Sequence, residues 1–274
     1  MSTSPPIADG VLVINLDERT DRWQAFLEQV AARLLPLSPS RLPAVKGVAL
    51  PGFGQRPFFH GHKRDRTWAG RAGCTLSHRA AIEKAAAYDW KRVLILEDDI
   101  ELAPDFDTTL GALSKALESE DWDICYLGYT DPIGPFRTHT PLTGGYRLDQ
   151  LYGCNTTHAY LVNQRAYRFL LDRLPTESTV WQWLTRNRAI DRWYARTLSQ
   201  QLTVIAPSRS LINQRDDISD ITGRGNETAH ITAISADTHT VLPYNLARTW
   251  RKAWFWLEGL YDAARGWIKQ QRGF

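Results

Sequence analysis

The chain has 274 residues, of which 43% are hydrophobic and 23% charged, a balance that excludes disordered and fibrous proteins and allows a full α/β core. Its net charge at pH 7 is +3, and residues 245–274 contain six basic but only two acidic side chains. A near-neutral body with a basic tail argues against a nucleic-acid partner.

The cysteines and the N-terminal residues bear on where the protein works. Cys74, Cys125 and Cys154 are too few and too widely spaced for a disulfide framework or a CxxC metal site, so we expect reduced, mostly buried thiols. Residues 1–10 have neither the basic nor the apolar segment of a secretory signal. No run of about 18 apolar residues predicts a transmembrane helix. These features predict a cytoplasmic protein.

Strands and helices are predicted to alternate along the chain. Residues 11–16 (VLVINL) are typical of a buried strand, and residues 21–35 carry apolar side chains at helical spacing. Residues 36–71, rich in Pro, Gly, Arg and aromatic residues, predict a long loop that covers a site. The other predicted elements are helices over 77–88, 167–174 and 190–199 and strands over 92–96, 124–127, 158–162 and 202–205. This order predicts a mainly parallel central sheet with helices on both faces.

Three consecutive acids, Glu97, Asp98 and Asp99, follow the apolar strand at 92–96. Alternation along the strand directs Glu97 and Asp99 to one side and Asp98 to the other, while the strand end exposes all three to a cleft. Carboxylates in this position can hold Mg²⁺ or Mn²⁺, with diphosphate oxygens completing the shell. The alternative is a solvated turn or helix-capping cluster, which is less typical directly after a buried strand.

Ser77 and His78 are predicted to begin a helix, with Ser77 as its cap or a first-turn residue. Free N–H groups and the helix dipole favour an anion at such a point, so His78 would face a diphosphate. A packing role for His78 is the alternative.

Six short motifs stand in one order within residues 11–221. They are Val13-Ile14-Asn15-Leu16-Asp17 with Arg19, Asp21 and Arg22; Gly73-Cys74-Thr75-Leu76-Ser77-His78; Leu94-Ile95-Leu96-Glu97-Asp98-Asp99; Thr157-His158-Ala159-Tyr160-Leu161; Ile190-Asp191; and Gln214 with Ser219-Asp220-Ile221. In these motifs the chain resembles glycosyltransferase family 25, the group of lipooligosaccharide biosynthesis and collagen galactosyltransferases. The resemblance implies a GT-A type nucleotide-sugar-binding fold, inversion at the anomeric carbon and a donor such as UDP-galactose. It also implies that the acidic triplet stands at the metal position of that fold.

The same resemblance implies that the end of the first strand contacts the nucleotide. Asn15 and Asp17 would bond the ribose or base, and Arg19 and Arg22 would reach the phosphates. Alternatively, Asp17 and Asp21 cap the following helix and the arginines are solvated.

The remaining site candidates come from the later motifs. An inverting transfer needs a general base, and Asp191 at the start of a helical segment is our choice, with Asp220 as the competitor. As the alternative, Asp191 is a helix N-cap. His158 is a secondary candidate for donor binding, although the composition of the strand-like segment around it (THAYL) favours a structural role. Where the family commonly has Gly-Glu-Ile-Gly-Cys, this chain has Gly70-Arg71-Ala72-Gly73-Cys74, so a basic residue replaces the acid. A cationic Arg71 would favour a charged donor sugar or an anionic acceptor, and the alternative is that it is simply solvated.

The C-terminal residues predict a basic amphipathic helix. Its apolar positions are Trp250, Ala253, Trp254, Leu257, Leu260, Tyr261, Ala264, Trp267 and Ile268, and Phe255 interrupts the opposite, polar face. A Trp-rich basic helix can lie in a membrane interface, and docking on its own domain or in a dimer is the alternative. We therefore divide the chain into a catalytic domain, 1–244, and a helix, 245–274, with membrane contact through residues 248–272.

The combined prediction is an inverting, metal-assisted hexosyltransferase that works in the cytoplasm, peripherally at the inner face of a membrane. It would move a hexose, galactose in the first place, from a UDP-sugar to a lipopolysaccharide or other surface glycan, with Mn²⁺ or Mg²⁺ as the ion. A catalytically silent glycosyltransferase-like module that binds a partner or membrane is the alternative. A glycosidase fits less well, because it needs two separated carboxylates and no nucleotide site.

Overall fold

The computed structural model describes residues 6–34, 38–62, 64–215, 233–234 and 243–274. The strands are β1 (Gly10–Asn15), β2 (Pro39–Pro43), β3 (Arg92–Glu97), β4 (Ile100–Leu102), β5 (Ile124–Ile133), β6 (Arg137–Pro141), β7 (Arg147–Gln150), β8 (Gly153–Asn163), β9 (Val204–Pro207) and β10 (Ile212–Gln214). The helices are α1 (Thr20–Phe26), which continues through a π-helical turn (Leu27–Ala31) into α2 (Ala32–Leu34), then α3 (Asp65–Ala87), α4 (Phe106–Ser119), α5 (Gln164–Leu171), α6 (Val180–Asn187), α7 (Ile190–Gln201) and α8 (Tyr244–Arg272).

The main sheet has eight strands in the order β2-β1-β3-β8-β5-β9-β7-β6. β1 is parallel to β2 and β3, and β5 is parallel to β9. β8 is antiparallel to both of its neighbours, β3 and β5, and β7 is antiparallel to β9 and β6. All strands of this sheet except β7 and β8 therefore run in one direction, which confirms the predicted mainly parallel sheet. β4 and β10 form a separate antiparallel pair just beyond the end of β3.

Alternate side chains of the central strands enter two different cores. Val11 and Val13 pack with residues of α1 and α4 on one face, whereas Leu12 and Ile14 pack with residues of α3, α5 and α7 on the other. The period of two follows from strand geometry, since successive side chains point to opposite faces. Helices therefore cover both faces of the sheet, as the sequence predicted.

Residues 36–71 differ from the long loop that the sequence predicted. β2 pairs in parallel with β1 at the edge of the sheet, and α3 begins at Asp65, far before Ser77. The two prolines that end β2 suggested a loop, but an edge strand tolerates proline. Many residues in the first turns of α3 are buried, including Trp68 and Ala69. These turns therefore lack the alternation of apolar and polar residues that marks a surface helix.

The C-terminal helix predicted from periodicity is present as α8. None of the helices in the described ranges is both long and apolar enough to cross a membrane. All three cysteines are free thiols, and Cys125 and Cys154 are buried, as expected.

Candidate active site

A cleft of about 810 Å³ opens at the carboxyl ends of β1 and β3. Its walls come from distant parts of the chain, which include the end of β1, the acidic triplet at the end of β3, the middle of α3 and the start of α7. Ligands of open α/β sheets bind at such strand ends. The fold therefore brings the sequence-predicted acids and Asp191 into one cavity.

Asp98 is the most firmly held acid of the triplet. Its Oδ2 accepts a hydrogen bond from Asn15 Nδ2 at 2.6 Å, and its Oδ1 lies 3.2 Å from Arg22 Nη1. Asn15 is in turn held by Arg41, whose Nε donates to Asn15 Oδ1 at 2.7 Å. Burial raises the pKa of Asp98, and Asn15 and Arg22 counteract part of that rise. Both carboxylate oxygens of Asp98 are thus engaged within the protein.

Asp99 is the acid best suited to a cation. Its Oδ2 lies 3.3 Å from Arg22 Nη1, whereas its Oδ1 is buried with no hydrogen-bond partner among the described residues. Burial, followed by the charge of Glu97, raises the pKa of Asp99 to about 7. Buried polar atoms normally have a partner, and a hard divalent cation prefers carboxylate oxygens, so the unpartnered oxygen fits Mg²⁺ or Mn²⁺.

Glu97 is paired with a histidine. Its Oε1 lies 3.4 Å from His78 Nε2 and accepts a hydrogen bond from Thr157 Oγ1 at 3.4 Å. Burial raises the pKa of Glu97, but the interactions with His78, His158 and Thr157 together outweigh burial, so the net pKa lies below the usual value. His78 is oriented through Nδ1, which is 2.9 Å from the Tyr160 hydroxyl. Glu97 is 26% exposed toward the cleft, where it is available to a ligand.

A second group of potential metal ligands shares Glu97. One ligand atom each of Cys74, His78 and Glu97 lies within 4.8 Å of the others. Sulfur, imidazole and carboxylate together suit Zn²⁺ rather than Mg²⁺. Burial raises the pKa of the Cys74 thiol well above its usual value, which opposes the thiolate that a metal requires. The sequence contained the signal, a Cys and a His four residues apart on one helix face, but it was not recognised.

Ser77 and His78 do not begin a helix, and that prediction was wrong. They lie in the middle of α3, whose first turn is at Asp65. Ser77 Oγ donates to Gly73 O at 2.8 Å and accepts from Val45 N–H at 2.8 Å. Helix-interior N–H groups are bonded within the helix, so the proposed anion site at free N–H groups does not exist here. Both side chains nevertheless line the cleft.

The structural alternative describes His158 better than a ligand role. The side chain is 2% exposed, and its Nε2 lies 2.9 Å from Ile212 O and its Nδ1 3.1 Å from Thr156 Oγ1. Burial lowers its pKa, so the neutral ring is favoured. His158 therefore joins β8 to β10.

The charged residues that follow β1 form ion pairs within the protein. Exposed Asp17 bonds Arg41 Nη2 at 2.7 Å, and Arg19 bonds Asp21 at 2.8 Å. Neither aspartate caps α1, because the cap position is Arg19 and no side chain bonds there. Arg22 is 7% exposed, which contradicts the solvated alternative, and it lines the cleft.

Asp191 lies in the first turn of α7 and lines the same cleft as the triplet. The N-cap residue is Ala189, so the N-cap alternative for Asp191 was wrong. Its Oδ1 accepts the backbone N–H of Arg192 at 2.6 Å, which leaves Oδ2 for a ligand. Asp220, the competing base, lies outside the described residues.

A cationic region borders the cleft. Lys46, Arg66 and Arg71 line it, and Arg71 Cζ and Lys269 Nζ lie 4.8 Å and 3.8 Å from the centroid of the same ring, that of Trp68. Burial, followed by repulsion from neighbouring arginines, lowers the pKa of Lys269 to about 8. Those arginines are Arg265, Arg188, Arg71 and Arg64.

Residues 8–131 match the family described as glycosyltransferase family 25 (LPS biosynthesis protein). The match includes β1, α3 and the acidic triplet, which line one part of the cleft, whereas Asp191 and the start of α7 lie outside the matched residues. Over this stretch, which is less than half of the chain, the protein is similar to glycosyltransferase family 25. The similarity supports the family that the six motifs predicted.

Two curated family 25 relatives are similar to part of the chain. A glycosyltransferase 25 family member of Aedes aegypti is 31% identical over 189 residues, or 62% of this chain and 29% of the relative. The protein of the same name in Drosophila pseudoobscura pseudoobscura is 31% identical over 137 residues, or 44% of this chain and 20% of the relative. The chain thus spans less than a third of the length of either relative. A solved structure of a glycosyltransferase involved in glycosylation of the major capsid of PBCV-1 is 12% identical over 66% of each chain, with a TM-score of 0.32.

Proposed function

We propose that this chain is a family 25 glycosyltransferase and, more specifically, an inverting, metal-dependent hexosyltransferase. The donor is a UDP-sugar, with UDP-galactose as the first candidate, and the acceptor is a lipopolysaccharide or other surface glycan. The observation that carries the proposal is the cleft itself, which joins the unpartnered Oδ1 of Asp99, the exposed edge of Glu97 and the carboxylate of Asp191.

Asp99 and Glu97 are the residues that would hold Mn²⁺ or Mg²⁺. Once bound, the ion supplies positive charge opposite the departing diphosphate. Asp98 acts as a positioning residue, since Asn15 and Arg22 occupy its oxygens and so fix the turn that carries Asp99. Arg22 lies between the two aspartates and offsets part of their repulsion while the donor is absent.

Asp191 is the proposed general base. Its Oδ2 takes the proton of the acceptor hydroxyl as that oxygen bonds to the anomeric carbon of the donor. The bond between the anomeric carbon and the diphosphate oxygen breaks on the opposite side, and UDP leaves with the electron pair. The configuration at the anomeric carbon is therefore inverted. Asp220 is the competing base, and a comparison of the two variants distinguishes them.

The cationic border of the cleft supports an anionic acceptor. Arg71, Lys269 and Arg188 lie near one another beside the cavity. Clustered cations favour phosphate or carboxylate groups, which lipopolysaccharides carry. A lipid-linked acceptor would place the enzyme at the cytoplasmic face of a membrane, with residues 248–272 as the contacting segment.

The test is UDP release from a panel of UDP-sugars with Mn²⁺ or Mg²⁺ and glycan acceptors. We expect turnover with one donor and a loss of about 100-fold or more in Asp99→Asn and Asp191→Asn. Asp107→Asn is the matched control, because Asp107 pairs with Arg33 at an exposed site on α4, outside the cleft. An active Asp191→Asn with an inactive Asp220→Asn would reassign the base.

The product's anomeric configuration, read by NMR, tests inversion, and a retained configuration would contradict the mechanism. If the protein binds nucleotide but turns over no donor, the catalytically silent module becomes the better description.

A further inference from the structure

The apolar stripe of α8 faces away from the rest of the protein. Of the twelve exposed large apolar side chains in the described ranges, nine belong to this helix. We define the outer face of α8 by six of them, which are 53–69% exposed: Trp250, Trp254, Leu257, Leu260, Tyr261 and Trp267. A surface helix ordinarily turns its apolar stripe toward the core, so α8 is inverted.

Ion pairs hold the opposite, polar face against the body. Asp262 is 5% exposed and bonds Arg196 and Arg192 of α7. Phe255, the apolar residue within the polar face, packs on Tyr152 with ring centroids 5.2 Å apart. Specific contacts therefore hold α8 with its polar face toward the body and its apolar stripe outward.

The end of α8 is also fixed. A Cβ on Gly266 would lie 2.8 Å from Arg186 Cγ, so glycine permits close contact with α6. The C-terminal Phe274 stacks on Trp68 with ring centroids 4.3 Å apart. Because the middle and the C-terminal end of the helix are both anchored, α8 cannot turn its apolar stripe inward without losing these contacts.

The charges along α8 are positive and lack acidic partners. Its two acids, Glu258 and Asp262, form ion pairs with arginines of α7. Its basic side chains form no ion pair with a carboxylate of the described residues; Arg248 and Lys252, for example, bond only backbone carbonyls. Most of these basic side chains are half-buried beside the face that packs on the body, and Arg272 is exposed, so positive charge flanks the apolar outer face.

We propose that the outer face of α8 lies in the interface of a membrane that contains anionic lipids. Trp and Tyr rings favour the headgroup level of a bilayer, and unpaired basic side chains complement anionic headgroups. Two copies of α8 packed face to face would instead bring the same positive charges together. The helix has 29 residues and so presents a surface about 43 Å long that can lie parallel to the bilayer.

This inference rests on the contacts and charges of α8 and does not require transferase activity. It does connect with the cleft, because Lys269 of α8 and Arg71 of the cleft wall both contact Trp68. A bound membrane would therefore lie beside the cationic border of the cavity.

The experiment is co-sedimentation of the full chain with vesicles of phosphatidylcholine alone or with 30 mol% phosphatidylglycerol. We expect binding to the anionic vesicles that weakens several-fold in high salt. The double variant Trp250→Gln/Trp254→Gln should bind at least tenfold more weakly with an unchanged melting temperature. Tyr88→Gln is the matched control, because Tyr88 is 62% exposed and lies at the C-terminal end of α3, outside α8. This variant should bind the vesicles as the wild type does.

Equal binding by the double variant, or no binding to anionic vesicles, would overturn the proposal. A dimer in sedimentation equilibrium that the double variant dissociates, without vesicle binding, would identify the outer face as a self-association surface. UDP release measured with a water-soluble acceptor is independent of these outcomes, so failure here leaves the proposed reaction standing.

Discussion

Ion pairs of Arg192 and Arg196 in α7 with Asp262 and Glu258 in α8 form a contact that we call the clasp. Its removal should loosen the C-terminal helix. Asp262→Asn keeps the side-chain shape but removes the charge that faces Arg196 and Arg192. The carboxylate side chain is 6% exposed and that of Arg196 16%, so the pair is largely shielded from solvent. The change leaves Arg196 with Glu258 as its remaining acidic partner.

Breaking a buried ion pair by changing one partner costs roughly 3–5 kcal/mol. Because Glu258 still neutralises Arg196, and Arg192 is 36% exposed, we expect about 2–3 kcal/mol. For a chain of this size that loss corresponds to a melting temperature lower by roughly 4–10 °C if α8 unfolds with the body.

The assay is thermal melting together with amide hydrogen exchange over residues 250–266. We expect the lower melting temperature or, if α8 opens alone, faster exchange confined to that segment. Asp121→Asn is the control, since Asp121 is 76% exposed in its pair with Arg165 and should change stability by at most about 1 kcal/mol. A melting temperature within 1 °C of the wild type with unchanged exchange would refute the clasp.

Three further predictions concern the cleft and the sheet beside it. Because burial raises the pKa of Asp99 to about 7, the native state binds this proton more tightly than the unfolded chain does, and its ionisation lowers stability as pH rises from about 4 to 7. Metal-free Asp99→Asn should therefore be more stable at pH 8 by up to about 4 kcal/mol in urea unfolding, and equal stability at pH 8 would contradict this. Because burial raises the pKa of the Cys74 thiol and opposes the thiolate, Cys74→Ser should leave stabilisation by Mn²⁺ in thermal melting unchanged; its loss would place Cys74 at the metal site. Gly128→Ala should destabilise by at least about 2 kcal/mol in urea unfolding, because a Cβ there would lie 2.1 Å from His158 Nε2 and 2.3 Å from Ile212 O; an unchanged midpoint would contradict that packing.

The central strands and the acidic triplet could be predicted because their signals are local. β1 and β3 are buried on both faces and so contain unbroken apolar runs, and the acids begin at the last residue of β3. The chain order of strands and helices then places those acids at a strand end. By contrast, α4, α6 and the short strands β4, β6, β7 and β10 were not predicted. The strands are too short or irregular to show a clear alternation, whereas α4 and α6 are amphipathic helices whose periodicity was present in the sequence but was not identified.

The partners within the site could not be predicted, because they are distant in sequence. Asn15 and Arg22 were expected to bind nucleotide, yet both hold Asp98, some 80 residues away along the chain. The same holds for α8. Its apolar stripe was evident from spacing, but the face that packs on the body is decided by Arg192 and Arg196 of another helix.

The most direct test of the proposed site is the melting temperature with UDP, with and without Mn²⁺, in the wild type and in Asp99→Ala. Each variant is compared with its own ligand-free protein, because the replacement itself alters stability. A ligand that binds only the native state raises the melting temperature. We predict a UDP-dependent rise that requires Mn²⁺ and disappears in Asp99→Ala. A wild type that shows no rise with UDP, or a rise that Asp99→Ala retains, would contradict a metal-assisted nucleotide site at this acid.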